Sequence, residues 1–118
     1  MGIDVYAKWD EQTEAERQAQ FTGFSIVSGD VGYLREAYHG EPYATRVLFP
    51  ECFSDDVGEV AIPAITLRER LPEAINETTQ RYAKDPIVDR AVASVVSFVE
   101  LYERLDAEGR NPRVYVSY

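Results

Sequence analysis

Residues 85–109 read DPIVDRAVASVVSFVELYERLDAEG, and this stretch decides the fold. Asp85 is placed to cap, Pro86 to take the first helical position and Gly109 to adopt the left-handed conformation past the last turn. The spacing predicts a helix over about 86–108. At about 100° per residue, Ile87, Ala91, Val95, Phe98, Val99, Tyr102 and Leu105, with Val88, Val92, Val96 and Leu101 beside them, fill an apolar arc of roughly 200°. Asp89, Arg90, Ser97, Glu100 and Arg104 complete the circle. A helix lying on one layer needs about half that arc, so this one is expected to touch two layers of structure.

The terminal segments supply one of those layers. Residues 3–9 alternate, with Ile3, Val5, Ala7 and Trp9 on one face and Asp4, Tyr6 and Lys8 on the other. Residues 113–118 alternate in the same way, Val114, Val116 and Tyr118 against Arg113, Tyr115 and Ser117. Paired, they form a sheet whose apolar face meets the long helix and whose wetter face carries Asp4, Tyr6, Lys8, Arg113, Tyr115 and Ser117.

Between the termini, Thr13 and Glu16 have capping-box spacing, which starts a helix with Ala15, Ala19 and Phe21 facing inward and Gly23 as its stop. Residues 31–39 suit two helical turns, with Leu34, Ala37 and Tyr38 on one side and Gly40 at the end. Thr45 to Phe49 reads as a brief strand, and Val60 to Ile65 as an edge strand or short bridge broken by Pro63. Thr66 and Glu69 repeat the capping spacing ahead of a stripe of Leu67, Leu71, Ile75 and Tyr82, with a break or kink expected at Pro72. The class is α+β: a small sheet including both terminal strands, packed by the long C-terminal helix and two or three shorter ones, in a single domain over residues 1–118.

Composition narrows the function. The net charge of −9 is uneven: residues 1–60 hold 12 acids against four bases, and residues 61–118 nine against eight. Phosphate recognition needs clustered Lys and Arg, so nucleic acid and anionic membrane are disfavoured, while a basic protein partner suits the charge. The same charge also serves solubility. In the long helix, only the nine residues Ala91–Val99 separate Arg90 from Glu100. A membrane span needs about twenty apolar residues. The start, Met1-Gly2-Ile3-Asp4, has neither a basic nor an apolar leader, which points to a cytoplasmic location. One cysteine, Cys52, and one histidine, His39, exclude an internal disulfide, a thiolate zinc site and most His-based metal constellations.

Few residues suit catalysis. Cys52 and His39 could form a dyad across a turn, but Cys52 beside Phe53 reads rather as a small, partly buried apolar residue. Glu51, Asp55, Asp56 and Glu59 make a solvated acidic loop without the ligand spacing of a calcium motif. Gly29-Asp30-Val31-Gly32 lacks the pattern of a phosphate cradle. The stretch Gly32–Phe53, GYLREAYHGEPYATRVLFPECF, stands out for five aromatics beside His39, Arg35 and Arg46. Tyrosines next to arginine suit contact with a partner or a polar ligand, and equally the edge of a core with hydroxyls in water.

MGIDVYAKWD and GYLREAYHGEPYATRVLFPECF, extending through LRERLP and FVELYERL, resemble a family of small, uncharacterised bacterial proteins. That resemblance implies a single bacterial domain and no reaction or ligand.

Two readings follow from the residues. The first is a non-enzymatic acidic protein–protein interaction module of the inhibitor, immunity or antitoxin type, using Asp55, Asp56 and Glu59 toward a basic partner. The alternative is a small-molecule binding domain or modest enzyme with a pocket lined by Tyr33, Tyr38, His39, Tyr43 and Arg46. No catalytic residue, cofactor or metal is expected under the first, and self-association as a homo-oligomer, through the wetter sheet face or through an exposed part of the long helix, is a third route.

Overall fold

The structure, a computed structural model, describes residues 2–21, 29–38, 40, 42–54 and 57–118. Strand β1 (Gly2–Lys8) lies at the centre of a three-stranded antiparallel sheet. It pairs on one side with β2 (Tyr33–Ala37), Val5 opposite Leu34, and on the other with β3 (Arg113–Ser117), Val5 opposite Val116. The terminal strands are therefore neighbours, as their matched alternation predicts. Ile3, Val5, Ala7, Trp9, Leu34, Val114 and Val116 are buried on the inner face. Tyr118 departs from its predicted face: it is largely exposed, its ring 5.1 Å from that of Phe53.

Helix α1 (Glu14–Phe21) opens with the predicted capping box. Glu16 N–H donates to Thr13 Oγ1 at 3.1 Å, and Thr13 N–H donates to Glu16 Oε1 at 2.9 Å. Its inward face differs from the expected one. Ala15 and Phe21 are exposed, and the buried residue is Gln20, whose Nε2 lies within 3.1 Å of the carbonyls of Ala7, Val31 and Gly32. A polar side chain thus stitches α1 to the β1–β2 end of the sheet, and its amide meets acceptors that hydrocarbon could not satisfy. The expected stop at Gly23 falls outside the described residues.

Two central assignments are corrected. Residues 33–37 form β2 and not a helix, and residues 44–48 form a single helical turn, α2 (Ala44–Leu48), and not a strand. One residue explains both. Glu36 sits at an inward-facing position of β2, opposite Ile3, where a charge disguises the strand's alternation. Its carboxylate, 5% exposed, accepts Ala44 N–H and Thr45 N–H at 3.0 Å each and Thr45 Oγ1–H at 2.6 Å. The first turn of α2 is capped by a side chain eight residues upstream, which local propensity does not encode.

Helix α3 (Ala64–Arg81) begins directly after Pro63, ahead of Thr66, and continues through Pro72. Pro72 is exposed, so its ring interrupts the hydrogen-bond ladder on the solvent side. Val60 makes only a bridge, exchanging both backbone hydrogen bonds with Val114. Helix α4 (Val88–Ala107) is the predicted long helix, two residues later in onset than Pro86 suggests. Asp85 Oδ1 accepts Ile87 N–H at 2.9 Å. At the far end Gly109, at φ +71°, closes the helix: its N–H donates to Asp106 O, and Arg110 N–H donates to Leu105 O.

The wide apolar arc of α4 is used as expected. Ala91, Val95, Phe98, Val99, Tyr102 and Leu105 are buried, sharing one core with Leu67, Leu71 and Ala74 of α3 and with Ile3, Val5 and Val114 of the sheet. Tyr102 adds a polar tie, its hydroxyl 2.6 Å from Ile62 O and 2.9 Å from Pro112 O. Near its middle α4 comes so close to the short 3₁₀ turn at residues 29–31 that a Cβ on Gly29 would lie 1.8 Å from Ser94 O. Gly29 N–H donates to Ser94 Oγ at 2.8 Å. Among the described residues, no helix is long and apolar enough to cross a membrane.

Candidate functional site

The aromatic residues of the Gly32–Phe53 stretch divide between two places because residues 33–37 are a strand. Tyr33 points to the outer face of the sheet, in register with Tyr6. Its hydroxyl donates to Asp4 Oδ1 at 2.6 Å, and the same oxygen accepts Arg35 Nη1–H at 2.9 Å. Burial, then the bond to Asp4, pushes the Tyr33 hydroxyl up to about 12. Tyr6 stands between two rings, 5.2 Å from Tyr33 and 6.3 Å from Tyr115, with Phe21 at 5.4 Å. Lys8 Nζ lies 5.5 Å from the Tyr6 ring centre. The outer sheet face is thus a row of aromatics from all three strands, and its Arg35 and Arg113 are matched by Asp4, Asp10 and Glu59.

Tyr38, Tyr43 and Arg46 gather elsewhere. The Tyr38 and Tyr43 rings meet edge to face at 6.4 Å, and the Tyr43 hydroxyl accepts Gly40 N–H at 3.1 Å. Arg81 lies over the Tyr43 ring at 5.0 Å and Arg46 over that of Phe53 at 5.4 Å. Pro42, Tyr43, Arg46 and Val47 line an open depression of about 450 Å³. Tyr33 takes no part in it. His39, Asp55 and Asp56 lie outside the described residues. Glu59 is drawn to Arg113, Oε1 to Nε at 3.2 Å, so at this end of the sheet it belongs to an ion pair.

The nucleophile option fails at its cysteine. Cys52 is buried, its thiol 3.8 Å from Val114 O, and desolvation followed by the charge of Glu51 raises its pKa to about 11. A thiol protonated at neutral pH and closed off by the core is not a nucleophile. Among the described residues, no group of three or more His, Cys, Asp or Glu is arranged to hold a metal ion.

Two further features come from the fold. The first is the charge layout of α3. Arg70 Nη2 reaches Glu51 at 2.8 Å, Arg68 Nε reaches Glu103 at 2.9 Å and Arg81 Nε reaches Glu36 at 3.2 Å. All three arginines of α3 are thereby committed to carboxylates on other elements. Glu69, Glu73 and Glu77 follow at four-residue intervals with no basic side chain within 4.0 Å among the described residues. Ile65, one turn before Glu69, is 64% exposed. The spacing of these glutamates is visible in the sequence, but so are Arg68 and Arg70, which locally would neutralise them.

The second feature is a half-open depression of about 300 Å³ beside α1, with Trp9, Val31 and Leu101 among its walls and Glu16 and Asp30 as the charged residues among the described ones that line it. Trp9 Nε1 is the buried side-chain polar atom, among the described residues, that has no hydrogen-bond partner.

In comparisons with known proteins, the chain matches no family model, no curated protein and no solved structure, so its site stands on its own geometry.

Proposed function

We propose that this domain works by binding another protein, and that the partner's contact surface is basic. The observation that supports this reading is the division of charge on α3: its arginines pair outward, and Glu69, Glu73 and Glu77 remain as an unneutralised row beside exposed Ile65. Like charges four residues apart on a helix destabilise it by about 0.2–0.5 kcal/mol per pair. The row therefore weakens the element that carries it, a cost that folding alone does not explain and that a cationic partner reverses. Ile65 adds an apolar contact at one end. Such a surface suits the inhibitor, immunity or antitoxin class, in which complementary charge speeds encounter and sets specificity. A bacterial, cytoplasmic setting belongs to the same proposal, and a reducing compartment is compatible with the single buried thiol.

A ligand pocket formed by Tyr38, Tyr43 and Arg46 has less geometric support, because the depression there is open and Arg81 already occupies a face of Tyr43.

The test is co-purification at low salt with the partner identified by mass spectrometry, then titration of that partner against the chain and its Glu69→Gln/Glu73→Gln/Glu77→Gln variant. The reading expects affinity to fall about tenfold or more in the variant and with added salt. Unchanged affinity for the variant sinks it.

A further inference from the structure

The outward residues of β1 read acid, aromatic, base: Asp4, Tyr6 and Lys8, each partly exposed and alternating with buried Ile3, Val5 and Ala7. Two of their polar groups are unused. Lys8 Nζ lies against the rings of Tyr6 and Phe21, at 5.5 and 5.8 Å, and has no carboxylate oxygen within 4.0 Å among the described residues. Asp4 uses Oδ1 for both Tyr33 and Arg35, and its Oδ2 accepts no hydrogen bond among the described residues. Beside them, Phe21 is 54% and Tyr115 39% exposed, both in ring contact with Tyr6. The charges of this face balance, Lys8, Arg35 and Arg113 against Asp4, Asp10 and Glu59, in a chain whose net charge is −9.

We propose that this face joins two copies of the chain, packed sheet to sheet about a two-fold axis that sets Tyr6 against Tyr6 and Lys8 of each copy against Asp4 of the other. A two-fold interface has to be complementary to itself. Acid–aromatic–base along the central strand meets that requirement: turned end for end it reads base–aromatic–acid, so each charge meets its opposite. The unused Asp4 Oδ2 and the unpaired Lys8 ammonium become partners, and the two side chains together span the ~10 Å between packed sheets. Tyr115, in register with Tyr6, joins the aromatic centre. Charge also selects the occupant. A balanced surface gives a basic protein no attraction, whereas two acidic chains approach most readily through the part of each that carries no net charge. The paired region of the three strands covers roughly 240 Å² in projection, well below the 800 Å² or so per partner of a standard interface. The dimer is therefore weak, half-dissociated on the order of 10–100 μM.

The test follows the full chain by sedimentation equilibrium from about 1 μM to about 1 mM, where the proposal expects a monomer–dimer equilibrium. Lys8→Glu sets two acids against each other at both ends of the interface, and Tyr115→Glu puts a charge near its centre. Each should weaken the dimer about tenfold or more. Tyr115→Glu, at an exposed position, decides the matter if Lys8→Glu does not fold. Register is read by carbodiimide coupling in a mixture of light and heavy-isotope chains. Lys8 and Asp4 of one copy lie about 13 Å apart along β1, beyond the reach of a direct amide link, so such a link forms only between copies. A chain that stays monomeric throughout, a dimer undiminished in the folded variants, or a dimer without the Lys8–Asp4 link overturns the proposal. The measurement uses the purified chain alone, so it stands or falls apart from the α3 reading.

Discussion

Arg81 on α3 holds its Nε 3.2 Å from Oε2 of Glu36 on β2, and both side chains are almost sealed from water. The guanidinium also donates to the carbonyls of Ala37, Gly40 and Pro42. The pair therefore joins β2, the start of α2 and the end of α3. Removing one member of a buried pair leaves the other charge unmatched, at about 3–5 kcal/mol. Glu36→Ala and Arg81→Ala should each lose stability on that scale in urea unfolding. Glu36→Gln with Arg81→Met should lose less than the sum of its single changes, because neither charge is then stranded. Additive losses would show that the two side chains do not act as a pair.

Gly29→Ala should destabilise the domain by about 1–3 kcal/mol, the usual range for overpacking a tight contact. The new methyl would meet a backbone carbonyl of α4, which cannot turn aside as a side chain could. Ser94→Ala should cost a similar amount, about 1–3 kcal/mol, because it leaves the buried Gly29 N–H without its acceptor. A wild-type urea midpoint for Gly29→Ala would contradict the close approach.

Pro72→Ala should raise stability. Alanine restores an N–H to the middle of α3 and removes a ring that costs a helix interior about 3 kcal/mol, partly offset by the more flexible unfolded chain. A net gain of about 1–2 kcal/mol is expected in thermal or urea unfolding. A loss would mean that Pro72 fixes a bend the packing requires.

Stability should fall at both pH extremes, for opposite reasons. Hydrogen bonds from Asn111 and Arg113 lower the pKa of Asp10, those from Arg70 lower Glu51 and those from Arg68 lower Glu103. A lowered folded pKa gives stability that is present above the unfolded value, near 3.9 for Asp and about 4.3 for Glu, and lost as pH drops through the folded value. Tyr33 and Tyr102 are raised to about 12, chiefly by burial. Their contribution is complete below the unfolded value of about 10 and disappears as pH rises through the folded one. Urea unfolding across pH should show both limbs. Tyr33→Phe with Tyr102→Phe should flatten the alkaline limb and leave the acid one unchanged.

The pattern of what could be read from the chain follows the range of each signal. The alternating termini, the Thr13–Glu16 box and the Gly109 stop are local, and each stands where its residues place it. Glu36 and Gln20 misled because their partners lie far off in sequence or on other elements. A buried carboxylate makes a strand look like a helix face, and a buried amide leaves Ala15 and Phe21 outside. The candidate site behaves in the same way. Proximity in sequence grouped Tyr33 with Tyr38 and Tyr43, but strand pairing put Tyr33 beside Tyr6. The glutamate row on α3 was written in the sequence at four-residue intervals. Its lack of neutralisation was not, since that depends on Glu51, Glu103 and Glu36 drawing the arginines away.

The central position of β1 has a consequence for how the molecule is made. Of the three strands β1 is synthesised first and β2 follows within about thirty residues, but β3 comes only after both α3 and α4. Until then one flank of the nascent strand has exposed amides and carbonyls, and Val114 and Val116 are absent from the core. Completion of the sheet is therefore deferred until α3 and α4 have been made, and it requires the long loop closure that slows non-local pairing. A stop codon placed before Arg113 should yield an unprotected, aggregation-prone chain and not a shortened domain.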